Sequence, residues 1–349
     1  MYARPDANSL DRYSRQMRFA PIGEDGQRRL LASRVLVVGC GALGSAVVET
    51  LVRAGVGQVR LVDRDYLEFS NLQRQVLYDE GDVAAGLPKA IAAGTKLRLI
   101  NSQVELDPRV VDVTHKNIAE LADDADVIVD GTDNFEVRFL LNDYALSAGK
   151  PWVYGGVIGA EGQCMTIVPG DTACLACLLP EPPPPGASPT CDTAGVLAPA
   201  VNLVAAIQSA EALKLLSGHS QAISRHLAVV DLWHNTLRRV DLSKLLEAGD
   251  CRVCCGREFA WLEGRRGSKA AVLCGRNAVQ LRPDVPRELD LWALADSLSG
   301  VADIIVNDYL LRATTERHTV TVFADGRAIV TGTDDEGAAR SVYAQLVGS

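Results

Sequence analysis

Apolar residues along this chain come in two rhythms, and their alternation predicts the fold. Residues 34–38 form a short continuous run of Val and Leu, read as a buried strand. The segment Gly39-Cys40-Gly41-Ala42-Leu43-Gly44 follows, and residues 45–53 then carry apolar side chains at helical spacing. A second apolar run, residues 58–62, ends at Asp63. Strand, glycine turn, helix and strand make one βαβ unit of a parallel sheet. The alternation continues with a helix over 89–100, a buried strand at 127–129 and a helix over 135–148. This predicts an α/β fold: a Rossmann-like, doubly wound mixed sheet.

The rhythm breaks at Glu181-Pro-Pro-Pro-Pro-Gly186, which suits neither a helix nor a central strand and predicts an exposed crossover loop over 178–195. Residues 196–216 read as a long apolar helix ending near Gly218. After Cys255 the pattern resets: a strand at 270–273, a helix over 289–297, strands around Ile304, Val320 and Ile329, and a closing helix over 336–346. Asp325-Gly326 between two β-rich runs is a hairpin signal. The division expected is 1–255 for the large domain and 256–349 for a small α+β domain.

The glycine turn, Gly39-x-Gly41-x-x-Gly44, lets backbone approach a phosphate or ribose, and the helix behind it offers unpaired N–H groups at the positive end of its dipole. Asp63, 19 residues past Gly44, stands where a carboxylate can accept hydrogen bonds from ribose hydroxyls. On these residues alone an NAD-dependent oxidoreductase fits as well as an ATP enzyme.

Further motifs separate the two. Arg12-Tyr13-Ser14-Arg15-Gln16 precedes the turn. Asp63-Arg64-Asp65, Ser70-Asn71-Leu72-Gln73-Arg74-Gln75, Gly86-Leu87-Pro88-Lys89 and Gly131-Thr132-Asp133-Asn134 follow it. The ordered set resembles the MoeB/ThiF/HesA family of adenylyltransferases, related to ubiquitin-activating enzymes, over roughly residues 10–255. The resemblance implies a nucleotide site built from Gly39, Gly41, Ala42, Gly44, Asp63, Asp65, Ser70, Asn71, Leu72, Gln73, Arg74, Lys89, Asp133 and Asn134. In it, Asp63 holds the ribose, Asn71 and Arg74 contact the ATP phosphates, Lys89 neutralises them, and Asp133 binds Mg²⁺ with Asn134 beside it. Arg15 matches the family arginine that enters the neighbouring subunit's ATP site, which implies a homodimer. Ala42 departs from the glycine common at that place and is expected to be tolerated.

The implied reaction is ATP-dependent adenylation of the C-terminal carboxylate of a small ubiquitin-like sulfur-carrier protein ending in Gly-Gly. Pyrophosphate is released, and a thiocarboxylate is then made for molybdopterin, thiamine or thiolated tRNA. An alternative is the same chemistry on another carboxylate, such as a tRNA-linked acid or a peptide. The attacking carboxylate is already ionised, so no general base is needed, and none of the five histidines sits in a recognisable catalytic context.

Cysteines add a second kind of chemistry. Cys174-x-x-Cys177 and Cys251-x-x-Cys254 offer four thiolates in two knuckles, which suits a closed, structural tetrahedral Zn²⁺ site; Cys255 leaves a one-position ambiguity. Cys191, between the proline-rich loop and a helix, matches a family cysteine that in some members bonds covalently to the carrier or its sulfur. Nearness to a helix N-terminus lowers a thiol pKa. Cys40, Cys164 and Cys274 read as core residues. With Cys274 the only tail cysteine, a separate protein is expected to supply persulfide sulfur.

Bulk properties narrow the partners. A net charge of −9 argues against a nucleic-acid partner, and no run of 18 apolar residues predicts a membrane span. Residues 1–10 include Asp6 and lack an apolar signal region, so a cytoplasmic location with reduced thiols is expected.

Overall fold

A computed structural model of the chain describes residues 10–184, 191–267, 270–273, 277–282 and 288–348. Two sheets organise it. The first contains β1 (Arg34–Val38), β2 (Gln58–Asp63), β3 (Glu105–Val110), β4 (Val127–Asp130), β5 (Trp152–Ile158), β6 (Glu161–Ile167), β7 (His226–Asp231) and β8 (Thr236–Asp241). Their order is β3-β2-β1-β4-β5-β6-β7-β8. The pairs from β3 to β5 are parallel, and those from β5 to β8 antiparallel, so the sheet is mixed.

Continuous apolar runs form the central strands because both of their faces are covered. Val35 and Val37, Val59 and Leu61, and Val127 and Val129 pack on one face, with Val47, Val48 and Leu51 of helix Ala42–Ala54 and Val201 and Val204 of helix Ala198–Leu216. The alternate residues Leu36, Val38, Val62 and Ile128 face the other way, against Phe139, Leu141 and Tyr144 of helix Phe135–Ala148. Helix Ala198–Leu216 starts two residues later than the sequence suggests, with a proline in its first turn.

The second sheet holds β9 (Ala270–Leu273), β10 (Ala278–Leu281), β11 (Asp303–Val306), β12 (Leu310–Thr314), β13 (Thr319–Phe323) and β14 (Ala328–Thr331), in the order β11-β12-β13-β14-β10-β9. Every pair is antiparallel, and Asp325-Gly326 turns β13 into β14 with Gly326 at φ +82°. Helices Leu291–Ser297 and Glu336–Val347 cover one face. On the other face Ala278, Leu310, Phe323 and Ile329 pack with Tyr66, in the loop after β2, and Val110, at the end of β3. In the stretch of chain that joins the two sheets, Phe259 and Trp261 pack into the first sheet's core beside Phe139.

Candidate active site and cysteine cluster

β1 lies between β2 and β4, where the strand order reverses, and the turn leaving its carboxyl end is the glycine segment. In open α/β sheets this is where ligands bind. Gly39 has φ +89°, and a Cβ there would lie 2.7 Å from the Gly131 carbonyl. A Cβ on Gly44 would lie 1.8 Å from the Gly39 carbonyl oxygen. Bare backbone from the turn, the helix start and the end of β4 thus meets at one place. Gly41 is the N-cap of helix Ala42–Ala54 and makes no side-chain cap, leaving the helix start as an anion-binding end. Ala42 is the first helical residue.

Asp63, at the end of β2, accepts hydrogen bonds from the backbone N–H of Cys40 (2.6 Å) and of Asp65 (2.7 Å). Burial pushes its carboxyl up, while Lys89 pulls it back towards ionisation. Lys89 opens helix Lys89–Ile100; its Nζ lies 3.3 Å from Asp65 Oδ2 and is buried. Its backbone N–H donates to the Asp65 carbonyl at 2.9 Å, so the two loops form one unit. The Tyr78 hydroxyl donates to the Cys40 carbonyl at 2.7 Å, a brace the sequence reading missed. Burial drives the Cys40 thiol well up, in keeping with a core role.

Asn71, buried, accepts from the Glu68 N–H at 3.1 Å and closes the single turn Phe69–Asn71. Arg74, half-buried, donates to the Ser70 carbonyl at 2.8 Å; Leu72 packs on the core and Gln73 is exposed. Gln75 is buried close to Gly41, which brings this segment to the helix start. After β4, Asp133 is exposed and acts electrostatically on Arg64 and Arg138. Asn134 caps helix Phe135–Ala148 by accepting from the Glu136 N–H at 2.8 Å. Asp130, also missed by the sequence reading, is fully buried and pairs with Arg138 at 3.1 Å. Arg138 also donates to the Thr132 carbonyl (2.6 Å), fixing the backbone that carries Asp133.

Arg15 is elsewhere. It lies in the single turn Ser14–Met17, where Gln16 donates to the Ala54 carbonyl at 3.0 Å and Tyr13 packs on Gly55. That is the far end of helix Ala42–Ala54, about 18 Å from the glycine turn at 1.5 Å per residue. The Arg15 side chain is exposed there.

Sγ atoms of Cys174, Cys177, Cys251 and Cys254 all lie within 4.8 Å of one another. The separations are 3.7 Å for Cys174–Cys177, 3.7 Å for Cys174–Cys251 and 3.4 Å for Cys177–Cys254. A tetrahedron with Zn–S bonds of about 2.3 Å has edges of about 3.8 Å, so the cluster can hold a zinc ion. Cys255 is exposed and touches only Cys254 among these sulfurs, at 3.7 Å. Cys164 is buried; Cys274 lies outside the described residues. Cys191 opens the one-turn helix Cys191–Ala194, not the long helix, and its side chain lies outside the described residues.

Comparison with known proteins matches the ThiF family to residues 13–253. The sulfur carrier protein ThiS adenylyltransferase of Bacillus subtilis is 47% identical over 338 residues, 97% of this chain and 99% of its own length. The SAMP-activating enzyme E1 of Haloferax volcanii is 43% identical over 249 residues, 71% of this chain and 90% of that protein. Among solved structures, Escherichia coli MccB with succinimide has a TM-score of 0.58 at 23% identity, covering 67% of this chain and 72% of that one, a likeness of fold. The family match takes in the glycine turn, Asp63, Lys89 and Asp133 together, which a shared dinucleotide turn alone does not explain, and the chain therefore belongs to the ThiF family.

Proposed function

We propose that this protein adenylates the C-terminal glycine carboxylate of a small ubiquitin-like sulfur-carrier protein, ahead of thiocarboxylate formation. It is an ATP-using adenylyltransferase. The observation that carries the reading is the meeting of the bare glycine turn, Asp63, Asp65 and Lys89 at the strand-order switch. The adenylyltransferase from Bacillus subtilis supports the choice of carrier, being similar over nearly the full length of both chains.

In the reaction a carrier carboxylate oxygen attacks the α-phosphorus of ATP. The bond from that phosphorus to the bridging oxygen of the β-phosphate breaks, and pyrophosphate leaves. Two anions approach one another, and charge develops on the leaving group. Asp63 accepts the ribose hydroxyls. Asn71 and Arg74 bind phosphate oxygens, and Lys89, now held by Asp65, turns to them. Electrostatic stabilisation of this kind is the main catalytic lever, since no proton has to be removed from the nucleophile. Asp133, exposed beside the turn, would hold Mg²⁺, whose charge would offset that of the phosphates. Arg15 serves the site of a second copy in a homodimer. The four cysteines hold a structural zinc, and sulfur comes from a separate persulfide donor in the cytoplasm. Residues 1–255 carry the adenylation machinery.

The test is carrier-dependent pyrophosphate exchange. Arg74→Ala and Asp133→Ala should each lower it by about 10²–10³-fold, the usual scale for removing one electrostatic stabiliser. Neither residue is buried, so thermal unfolding should not change. Lys89→Ala should lower exchange as much and also cost stability, because it strips a buried charge pair. Near-normal exchange in all three would overturn the mechanism.

A further inference from the structure

We infer that the six-stranded unit is a positioning element for the nucleotide turn, setting ATP affinity through a cross-strand row of side chains and the polar residues flanking it, none of which touches the nucleotide. This rests on the reading above of Asp63, Asp65 and Lys89 as nucleotide-binding residues.

The row runs across β12, β13, β14 and β10, where register pairs Arg312 with Thr321, Thr321 with Ile329, and Ile329 with Gln280. These residues lie on the face without helices, and each engages the first sheet's loops. The Arg312 guanidinium stacks 4.4 Å from the Tyr66 ring centre, and Thr321 hydrogen-bonds to Tyr66. Ile329 packs in the small cluster with Tyr66 and Val110. Gln280, 0% exposed, donates to Asp112 at 3.1 Å.

Asp112 is itself buried and gathers Arg64 (3.3 Å) as well as Arg282 (2.5 Å) from the second unit. Arg64 is the residue between Asp63 and Asp65. Its side chain is held through Asp112, and its backbone carbonyl accepts from Arg327 at 3.2 Å. The neighbouring loop is held likewise: Asn307 donates to the Gly86 carbonyl at 3.2 Å, three residues before Lys89. The second unit therefore grips the peptide carrying both carboxylates and the approach to the lysine. A sheet that needed only to bury its second face would carry apolar residues at 280, 312 and 321. Polar groups at those places, with Gln280 and Thr321 buried and Arg312 half-buried, instead fix one register of contact.

A 1 Å misplacement far from the chemistry can cost about 10²-fold in rate, and loosening this grip is expected to raise the ATP dissociation constant by ~10-fold. The measurement is ATP binding to the full chain by calorimetry. Gln280→Met and Arg327→Met should each weaken ATP, and Arg327→Lys should recover most of the loss, since an ammonium still reaches the Arg64 carbonyl. In an Arg64→Met background, Gln280→Met should add nothing, because the link through Asp112 is already cut. Unchanged ATP affinity in both methionine variants overturns the inference, as does a Gln280→Met effect that persists without Arg64. Asp63→Asn distinguishes the two levels. If it leaves ATP binding intact, the nucleotide site itself is misread. If it weakens ATP while the methionine variants do not, only the positioning role falls.

Discussion

At the cysteine cluster each donor faces other donors: four sulfurs within 4.8 Å, drawn from two segments 77 residues apart, with no fifth partner needed. At the carboxyl edge of β1, β2 and β4 the arrangement is open. Asp63 is satisfied by backbone N–H groups, Lys89 rests against Asp65, Asp133 faces solvent, and the helix start has no side-chain cap. A closed set of ligands stabilises the fold, whereas an open set of charges holds a shape for something that arrives later. Changes at the first should act on stability, and changes at the second on binding and rate.

The largest effect is expected where that contrast is sharpest. Cys174→Ser and Cys254→Ser should remove one zinc per chain and lower stability by several kcal/mol, given that structural zinc can contribute ~10 kcal/mol to folding. Cys255→Ser should keep the metal, because among the described cluster sulfurs its own lies against Cys254 alone. Elemental analysis and denaturant unfolding read both. Zinc-free wild-type protein, prepared without chelators, would remove the stabilising half of the comparison.

How much was legible beforehand differs between the two regions and follows from distance along the chain. The central strands and the helices Lys89–Ile100 and Phe135–Ala148 were readable because continuous apolar runs and sharp starts at Pro88 and Asn134 mark them. Strands β5 to β8 were not. Gly155, Gly156 and Gly162 interrupt the apolar pattern of β5 and β6, and β8 is exposed along its whole length. Cysteine spacing announces its own chemistry, and the four sulfurs do meet. The carboxylates and lysine of the nucleotide edge were singled out by ordered motifs; the groups that hold them were not. Arg138 is eight residues from Asp130 and Tyr78 is 38 from Cys40, which local pattern does not connect. Gln280 meets Asp112 across 168 residues, a pairing only the folded sheets bring about. Arg64, which Asp112 ties to the second sheet, did have a sequence signal, its place between two carboxylates.

The next effect in size asks whether the open site is complete within one chain. Arg15 stands at the far end of helix Ala42–Ala54 from the glycine turn. Arg15→Ala and Asp133→Ala should each retain little exchange alone. Mixed and allowed to exchange subunits, they should regain up to about a quarter of the normal sites, because half the dimers are mixed and each of those has one site free of both changes. Pyrophosphate exchange before and after mixing measures it. No recovery despite proven exchange would place Arg15 outside the neighbour's site and leave the nucleotide edge a single-chain construction.

Cys191 belongs to neither region, and changing it should disturb adenylation least. The strand-like segment just past it is pinned: Gly159 N–H donates to the Gly195 carbonyl at 2.9 Å, and Leu197 N–H returns to the Gly159 carbonyl at 2.8 Å. On the other side of the proline-rich stretch, Arg266 pairs with Glu181 at 2.8 Å. The crossover is thus tied at both ends, with Cys191 four residues ahead of one tie. Adenylation uses carboxylate, ATP and basic groups, so Cys191→Ala should keep pyrophosphate exchange within about twofold, the range expected when no transition-state contact is lost. If the thiol takes the activated acyl group, its sulfur attacks the carrier's carbonyl carbon, AMP departs, and a thioester remains. A persulfide from the donor protein then displaces Cys191, and reduction of the new acyl persulfide by a second thiol leaves the thiocarboxylate. Under that course the variant should lose thiocarboxylate formation while still releasing pyrophosphate, and mass spectrometry of the wild type should detect a carrier adduct that the variant lacks. A variant making thiocarboxylate at the normal rate would show that sulfur reaches the adenylate directly. Loss of pyrophosphate exchange would show instead that the tied crossover, not its thiol, shapes the open site.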